Sequence, residues 1–421
     1  MTSQTSISTA SLPTLARRRG GRDALARRLL MKVLTRLGAG ELLIHEQGEC
    51  YRFGGQADGP TAEIQVHHPR AWRRVLEGGV IAAGESYMDG DWSSTDLTTV
   101  TRLFSANLHT MERMQAEQST LLRWTLKLAH TLRRNNLRGS RENIGAHYDL
   151  GNDFFALFLD PTMMYSSALF ADGAMTLETA SEAKLDELCR QLELTPQDHL
   201  LEIGTGWGGM ALHAARHYGC RVTTTTISRQ QYDYACRAVR EAGLTEQVTV
   251  LCEDYRKLRG QYDKIVSIEM LEAVGHQYYS EYFRCCNALL KPAGKLVIQV
   301  ITIPDQRYRQ ARDSVDFIKR YIFPGGCLPS LAVLTRHLAE DSDLELVHLR
   351  DITADYAETL AHWRQRFLAQ LDAVRSQGFD ERFIRMWEYY LCYCEGGFRE
   401  RIIGTVQFAA VKPGYRVQQA L

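Results

Sequence analysis

HLLEIGTGWGGM, residues 199–210, is the stretch that decides the fold, because an apolar run is followed by a glycine-rich turn and then by a helical pattern. Its glycines match G-x-G-x-x-G, a spacing that lets a ligand approach the backbone closely. On this motif alone, a turn that only packs a helix against a strand stays an open alternative. The neighbouring residues must therefore indicate which ligand, if any, the turn serves.

Strand and helix patterns alternate on both sides of this turn. Such alternation predicts an α/β fold with a parallel, doubly wound, Rossmann-like sheet. Two late runs, LELVHLRDI and GTVQFAAVK, are predicted as edge strands. The other predicted elements are strands at 199–204, 220–227, 247–252, 262–270 and 294–303 and helices at 210–218, 229–242 and 278–290.

The ends of the second and third predicted strands distinguish between nucleotide ligands. A dinucleotide enzyme places an acid about 20 residues beyond the glycines to hold a ribose. Here threonines fill residues 223–226, and Ser228 and Gln231 follow them. Glu202, just before the turn, and Asp254, after the third strand, instead suit S-adenosylmethionine. Hydride chemistry is therefore disfavoured.

The N-terminal part of the chain has a different pattern. Residues 1–20 are polar and are predicted to be a disordered tail. Residues 21–138 are predicted to form a smaller, mixed α+β domain, with basic amphipathic helices at 23–37 and 121–137. Residues 139–421 are predicted to form the methyltransferase domain.

The chain is neutral, with 50 Lys+Arg against 50 Asp+Glu, which argues against nucleic-acid binding by bulk charge. Residues 17–36 nevertheless hold eight basic residues against one acidic residue, and residues 119–141 hold six basic residues and no acidic residue. No apolar run reaches the roughly 18–20 residues that span a bilayer. We therefore expect peripheral contact of both segments with an anionic membrane surface. A helix face packed on the protein's own core is the alternative for each.

Cysteine and histidine usage indicates the compartment and the metal content. The ten cysteines lie mostly in apolar runs without CxxC pairs, which predicts a reduced, cytoplasmic protein. The thirteen histidines lack ligand spacing, so no metal site is predicted. With the basic segments, this predicts a cytoplasmic protein at the inner face of the membrane.

Six motifs resemble those of one enzyme family. The chain is similar to the cyclopropane-fatty-acyl-phospholipid synthases, S-adenosylmethionine-dependent lipid C-methyltransferases, over about residues 140–412. The resemblance implies methylene transfer to the cis double bond of a membrane phospholipid acyl chain, bicarbonate as general base, and a homodimer. The motifs are HYDLGNDFFALFLDPTMMYSSALF (147–170), LEIGTGWGG (201–209), TTISRQQ (225–231), EMLEAVG (269–275), YIFPGGCLPS (321–330) and EYYLCYCEGGFR (388–399).

The resemblance also implies which residues contact the cofactor. Some lie in the YSS segment (165–167), and others follow the ends of the first three predicted strands. Glu202 and Asp254, which were identified above, complete the set. The candidate cofactor contacts are Tyr165, Ser166, Glu202, Gly204, Thr205, Gly206, Gly208, Thr226, Ile227, Ser228, Gln231, Asp254, Tyr255 and Arg256.

A second implied set holds the bicarbonate and carries the chemistry. Two positions depart from the family pattern, since Ser167 replaces a cysteine and Gln299 replaces a histidine. Both still donate hydrogen bonds, but Gln299 cannot relay a proton. Glu272 beside an anion is expected to have a raised pKa. The candidate catalytic residues are Ser167, Glu272, Gln299, Ile301 through its backbone, Tyr356 and Cys394, the last in doubt because the reaction needs no thiol.

Two alternatives stay open, and a third is disfavoured. Within the family, the same carbocation route can give a mid-chain methyl or methylene branch instead of a ring. Ser167 and Gln299, which depart from the family pattern, leave this product possible. In another class, the chain would be a non-catalytic lipid- or cofactor-binding protein. A nucleic-acid methyltransferase is disfavoured, because EMLEAVG stands where its catalytic motif would follow the fourth strand.

Overall fold

The computed structural model describes residues 21–55, 57–108, 150–171 and 173–416. The predicted tail at 1–20, the predicted amphipathic helix at 121–137 and the predicted domain boundary at 138–139 lie outside these residues. The chain divides into two compact units.

The first unit consists of Met1–Tyr148 and Val374–Glu400 and contains a four-stranded sheet. The middle strand β1 pairs antiparallel with β2 and parallel with β3. Gln47 and Gly48 form the turn between β1 and β2, and both have positive φ (53° and 85°), which matches the twist of a tight hairpin. The sheet has the order β2-β1-β3-β4, with β1 Glu41–Glu46, β2 Glu49–Gly54, β3 Thr61–Val66 and β4 Trp92–Ser93.

Three helices of this unit are α1 Arg22–Leu34, α2 Arg70–Met88 and α3 Leu97–Ala106. The basic helix predicted at 23–37 is confirmed as α1, but its apolar side chains separate into two sets. Some are buried, whereas Leu25 and Leu29 are 61% and 37% exposed. Since Leu25, Leu29 and Lys32 follow helical spacing, α1 exposes leucines and a basic residue on one face.

None of the helices in the described ranges is long and apolar enough to cross a membrane.

The second unit, Asp149–Ala373 with Arg401–Leu421, contains a seven-stranded sheet. Its strands β5 to β9 are parallel, and β11 pairs antiparallel with both β9 and β10. The order is β10-β11-β9-β8-β5-β6-β7, with β5 His199–Ile203, β6 Arg221–Thr226, β7 Val248–Cys252, β8 Tyr262–Ile268, β9 Leu290–Thr302, β10 Glu345–Asp351 and β11 Gly404–Val411.

This topology confirms the predicted doubly wound α/β sheet and all five of its parallel strands. The prediction of two late edge strands is right for β10 and wrong for β11. Because β11 has hydrogen-bonded neighbours on both sides, it is an interior strand. Its almost continuous burial is what a strand covered on both faces requires.

Helices cover both faces of this sheet, and neighbouring residues of β5 point to opposite faces. Leu200 packs in a core cluster with α5 and α6, and Leu201 packs in a second cluster with α9 and α12. The helices are α4 Asn152–Phe155, α5 Leu177–Leu192, α6 Gly209–Tyr218, α7 Arg229–Glu241, α8 Leu271–Val274, α9 Tyr279–Leu289, α10 Asp305–Asp313, α11 Phe317–Tyr321, α12 Leu331–Asp341, α13 Thr353–Ala369 and α14 Leu371–Ser376.

The next helix, α15 Glu381–Arg399, belongs to the first unit although 139–421 was predicted as one domain. Its Glu388 accepts a hydrogen bond from the Tyr87 hydroxyl (2.8 Å), and its Glu395 accepts one from the Thr98 hydroxyl (2.9 Å). The chain therefore returns to the first unit before it adds β11 to the second. An apolar helical pattern does not reveal its packing partner, so the sequence could not indicate this return.

The strands β6 and β8 lie on opposite sides of β5, so the strand order reverses direction at β5. In open α/β sheets, ligands bind in the crevice at such a reversal. The glycine turn follows β5, and EMLEAVG begins directly after β8. The fold therefore brings both motifs to one edge of the sheet.

Candidate active site

The glycine turn leads from β5 into α6. Gly204, Gly206 and Gly208 have φ values of 101°, 52° and 92°, which residues with a side chain rarely adopt. The backbone N–H groups of Gly204 and Thr205 donate to the carbonyl oxygen of Thr225 on β6, both at 3.0 Å. A Cβ added to Gly206 would meet no atom within 4 Å. The turn is therefore fixed to β6 and has open space beside it.

Residues after β6 and β7 continue this edge. The Thr226 hydroxyl donates to Oε1 of Gln231 (2.8 Å), and the Ser228 hydroxyl caps α7 by accepting from the Gln231 N–H (3.3 Å). Ile227 is 80% exposed. A cavity of about 560 Å³ is lined by Ile227, Leu251, Cys252, Glu253, Asp254 and Lys257. It lies where the cofactor contacts were predicted.

Asp254 and its neighbours differ in their availability to a ligand. The Arg256 guanidinium donates to both carboxylate oxygens of Asp254, Nε to Oδ1 at 2.9 Å and Nη2 to Oδ2 at 2.6 Å. This hydrogen bonding lowers the pKa of Asp254. The Tyr255 ring packs edge-on against Tyr282 in the core, with 5.6 Å between centroids. Asp254 thus lines the cavity as a charged carboxylate paired with Arg256, whereas Tyr255 packs into the core.

Two buried titratable groups, Glu202 and Lys184, lie close to the turn. Glu202 is 3% exposed, and burial raises its pKa to about 8. Lys184 on α5 is fully buried, donates from Nζ to the Ser166 hydroxyl (2.9 Å), and has its pKa lowered to about 8 by burial. Among the described residues, Oε2 of Glu202 has no hydrogen-bond partner.

These residues fit S-adenosylmethionine, whose amino groups are donors and whose sulfonium is positive. The turn leaves open space at Gly206. Glu202 offers a buried carboxylate oxygen without a partner, and Asp254 lines the cavity as a charged acceptor. We call the glycine turn and the residues that follow β6 and β7 the cofactor edge.

Segment 165–170 reaches the sheet edge because α13 anchors it. The Ala168 N–H donates to the Thr359 hydroxyl (3.0 Å), and the Phe170 N–H donates to the Asp355 carboxylate (2.7 Å). These bonds fix the backbone of the YSS motif at the end of β8.

Aromatic rings surround Tyr165. Its ring centroid lies 5.1 Å from that of Phe155, 5.2 Å from that of Trp363 and 6.3 Å from that of Phe323. Phe155 in turn lies 5.0 Å from Trp207 in the glycine turn. Such a wall is apolar and presents electron-rich ring faces, which stabilise a nearby cation and exclude water.

Glu269, directly after β8, is the centre of a hydrogen-bonded cluster. Its Oε1 accepts from the Ser167 backbone N–H (2.9 Å) and from Nε2 of Gln299 (2.8 Å), and its Oε2 accepts from the Tyr356 hydroxyl (2.7 Å). Its φ is 49°, a backbone region that is uncommon for glutamate. Strain of this kind persists where the surrounding structure fixes a side chain for a function.

Glu272 on α8 has fewer donors. Its Oε1 accepts from the Ile301 backbone N–H at 2.5 Å, and its Oε2 is buried without a partner among the described residues. Burial, and then repulsion from Glu269, raise the pKa of Glu272 to about 8, in the direction expected from the sequence. We call Glu269 and Glu272, with Ser167, Gln299 and Tyr356, the carboxylate cluster.

Glu269 and Glu272 differ in how well their surroundings stabilise a negative charge. Burial also raises the pKa of Glu269, but its three donors and the positive charge of Lys184 oppose this effect. Glu272 accepts only from backbone N–H groups among the described residues and has a carboxylate, Glu269, for a neighbour. The geometry therefore assigns the negative charge to Glu269 and a proton to Glu272.

The bicarbonate ion expected from the sequence does not fit this cluster. Of the five groups assigned to it, three donate to Glu269 and the other two, Glu272 and Ile301, bond to each other. The Ser167 hydroxyl donates to the Ala168 carbonyl (2.9 Å). The Gln299 carbonyl oxygen accepts from Gln407 (2.9 Å). The carboxylate of Glu269 thus lies where the ion was expected.

Sequence reasoning missed Glu269 and Lys184, although signals for both exist. Glu269 is the first carboxylate after β8, at the edge where ligands bind. Lys184 follows Leu177 by seven residues and precedes Leu188 by four, a spacing that places it on the buried face of α5. Cys394, proposed as catalytic, lies on α15 of the first unit, whereas the other candidates lie in the second.

Comparison with known proteins identifies close relatives. The sequence model of the family described as "Mycolic acid cyclopropane synthetase" matches residues 135–408. A tuberculostearic acid methyltransferase of Mycobacterium tuberculosis is 37% identical over 403 residues, 93% of this chain and 92% of that protein. The cyclopropane-fatty-acyl-phospholipid synthase of Escherichia coli K12 is 39% identical over 365 residues, 85% of this chain and 90% of that protein.

Solved structures agree with these relatives. A cyclopropane synthase from Mycobacterium tuberculosis superposes with a TM-score of 0.59 at 32% identity, covering 64% of this chain and 98% of that one. A mycolic acid cyclopropane synthase complexed with SAH and CTAB gives a TM-score of 0.60 at 30% identity, with the same coverage of both chains.

Proposed function

This chain belongs to the mycolic acid cyclopropane synthetase family of S-adenosylmethionine-dependent methyltransferases, and we propose that it converts the cis double bond of a phospholipid acyl chain into a cyclopropane. The carboxylate cluster carries this proposal. Ring closure requires a proton acceptor for the added methyl group, and Glu269 and Glu272 lie at the sheet edge beside the cofactor turn. The E. coli relative, named for this activity, supports the choice.

The chemistry explains why these residue types are needed. When bound, S-adenosylmethionine supplies an electrophilic methyl group. An alkene is a weak nucleophile, so the chain must align it with that methyl and exclude water that would capture the resulting cation. The ring of Tyr165, which packs against Phe155 and the buried Trp363, offers an apolar, electron-rich surface for this purpose.

Product analysis tests this function. The full chain is incubated with methyl-labelled S-adenosylmethionine and vesicles of dioleoyl phosphatidylglycerol, and the extracted lipids are examined by proton NMR. We expect label in the lipid and an upfield ring-methylene signal. Vesicles of a saturated phosphatidylglycerol are the control, because they offer no double bond. Absence of label from the unsaturated lipid would contradict the proposal.

A methyl or methylene branch is the second candidate product. The relative named as a tuberculostearic acid methyltransferase, which matches 93% of this chain, favours it, as do Ser167 and Gln299 at positions where the family pattern differs. Ring and methylene-branched lipids are isomers, so mass alone does not separate them. The NMR experiment does, since a branch gives vinylic or methyl signals and no ring-methylene signal.

We also propose that α1 contacts an anionic membrane surface at the cytoplasmic face. Leu25 and Leu29 are exposed on the same face as Lys32, and Arg28 is exposed next to them. Apolar side chains among basic ones are typical of helices that lie in a lipid interface. The alternative is a helix that serves only its own domain, and the binding experiment below distinguishes the two.

Vesicle co-sedimentation tests this contact. We expect binding to phosphatidylglycerol vesicles that weakens with salt. Each basic residue near the surface contributes about 1 kcal/mol, and Arg28→Glu removes one positive charge and adds a negative one, so binding should weaken about 30-fold. The matched control is Arg240→Glu on α7, which makes the same charge change at another exposed site. Equal loss for both variants, or salt-independent binding, would contradict the contact.

A further inference from the structure

Glu269 lies at the point where an external base was expected, and its environment identifies its role. Its carboxylate accepts from the Ser167 N–H, the Gln299 amide and the Tyr356 hydroxyl at 2.7–2.9 Å. These groups come from three different parts of the chain. Three charge-assisted hydrogen bonds fix both oxygens of the carboxylate and favour its ionised form.

The surroundings make this carboxylate a proton acceptor and a poor nucleophile. Its two oxygens are each engaged by donors, so attack on a carbocation would break these bonds. Lys184, which is fully buried, contributes a positive charge that attracts Glu269. Glu269 as a whole residue is half-buried, and it directly follows β8 at the sheet edge where ligands bind in this fold. Glu272, which holds its proton, cannot serve as the base in its place.

We propose that Glu269 is the general base of the reaction and replaces bicarbonate with a carboxylate of the chain itself. This inference rests on the proposed function. The π electron pair of the alkene forms a carbon–carbon bond to the methyl group as the methyl–sulfur bond breaks and S-adenosylhomocysteine leaves. The other alkene carbon becomes a cation. Glu269 accepts a proton from the added methyl group, and the electron pair of that C–H bond closes the ring.

The Glu272 position sharpens this assignment. Its Oε1 accepts from the Ile301 N–H, and its Oε2 is buried without a partner among the described residues. A proton on Glu272 removes the repulsion between the two carboxyl groups. Glu272 is therefore a positioning residue that keeps the charge on Glu269 and leaves it able to take one proton per turnover.

The experiment compares bicarbonate dependence in the full chain and in two variants of Glu269. Methyl transfer to dioleoyl phosphatidylglycerol vesicles is measured in degassed buffer under argon, with and without added bicarbonate. We expect equal activity of the unaltered chain in both buffers. Glu269→Gln, which keeps the shape but cannot accept the proton, should lose at least about a hundredfold in kcat. Glu345→Gln, an exposed site on β10, is the matched control.

Glu269→Gly tests the site by rescue. Glycine relieves the positive φ and leaves the three donors facing an empty space of carboxylate size. We expect this variant to be inactive in degassed buffer and to regain at least tenfold on addition of bicarbonate. A purely structural role of Glu269 would not produce such rescue. Binding of S-adenosylhomocysteine by calorimetry should be unchanged in both variants.

The outcomes separate the inference from the proposed function. An unaltered chain that requires added bicarbonate, or a Glu269→Gln variant that keeps its turnover, overturns the role of Glu269. Neither result removes the methyltransferase activity. If the unaltered chain transfers no label to lipid in either buffer, the proposed function itself fails.

Discussion

The cofactor edge and the carboxylate cluster lie at the same end of one sheet, but they are built differently. The cofactor edge consists of short segments that each follow one strand, such as the glycines at 204–209 after β5. The carboxylate cluster joins Glu269 to Ser167, Tyr356 and Gln299, which lie 102, 87 and 30 residues away. A local motif can be identified from the sequence, whereas a cluster of residues that are distant in sequence forms only when the chain folds.

The two regions also differ in what they demand of the backbone. At the cofactor edge, glycine occupies the positions with positive φ, so the turn carries no strain. In the carboxylate cluster, Glu269 itself has a positive φ, and the three hydrogen bonds must offset the strain. We expect substitutions in the first region to affect cofactor binding and those in the second to affect turnover.

The largest effect is expected at the glycine turn. Gly204→Val places a branched side chain at φ 101°, with its Cβ 3.2 Å from Met270. Such backbone strain costs about 1–3 kcal/mol, and the side chain also blocks close approach of a ligand. We expect S-adenosylmethionine affinity, measured by calorimetry, to fall at least a hundredfold.

Gly243→Val is the control for this variant. Gly243 also has a positive φ (69°), but it follows α7 and has no atom within 4 Å of an added Cβ. Both variants should lose stability, and only Gly204→Val should lose affinity. Equal affinity for the two would mean that the turn is purely structural.

The next effect tests the division between binding and turnover. Tyr356→Phe removes one of three donors to Glu269, and a hydrogen bond to a charged group contributes about 1.5–3 kcal/mol. We expect kcat to fall roughly 10- to 150-fold while cofactor affinity stays unchanged. Tyr262→Phe, at the opposite end of β8, is the control. A fall in affinity with kcat unchanged would remove the distinction between the two regions.

A smaller effect is expected in the pH dependence of stability. Glu272 keeps its proton in the folded chain up to about pH 8, whereas its ordinary value is 4.5. The folded state therefore binds more protons than the unfolded state between these values, and stability falls as pH rises through them. Each pKa unit corresponds to about 1.4 kcal/mol. A third of the Glu272 shift would therefore still lower the free energy of unfolding by more than about 1 kcal/mol between these pH values.

Glu272→Gln should remove this dependence, because glutamine is neutral at every pH and still accepts from Ile301. Denaturant unfolding at pH 5 and pH 8 measures the difference. The loss between these pH values should be smaller in the variant than in the unaltered chain. Glu345→Gln, which is exposed, should behave like the unaltered chain. An unchanged loss in Glu272→Gln would mean that this carboxyl is ionised when folded.

Most of the fold could be predicted from the sequence, and part of the site could not. Strand and helix patterns are local, so β5 to β9 and the glycine turn were identified correctly. The return of α15 to the first unit and the interior place of β11 depend on long-range packing. The family resemblance implies Glu272 and does not indicate Glu269, although both stand in EMLEAVG. Only the fold determines which carboxylate meets the three donors.

The smallest effect concerns Ser167, one of the two positions that depart from the family pattern. The Ser167 hydroxyl donates to the Ala168 carbonyl, while its backbone N–H donates to Glu269. Ser167→Ala keeps the N–H and removes only the hydroxyl. We therefore expect kcat to change by less than about threefold, which corresponds to less than one neutral hydrogen bond.

Steady-state kinetics with Tyr356→Phe as the reference variant measures this difference. Both residues donate to the same carboxylate, but one does so through its side chain and the other through its backbone. If Ser167→Ala loses as much turnover as Tyr356→Phe, the hydroxyl itself must face the reacting groups, and the contact to Ala168 would not persist with substrate bound. A small loss would instead mean that the type of side chain at position 167 is free to vary. The donor that matters there is then supplied by the backbone, which every residue except proline provides.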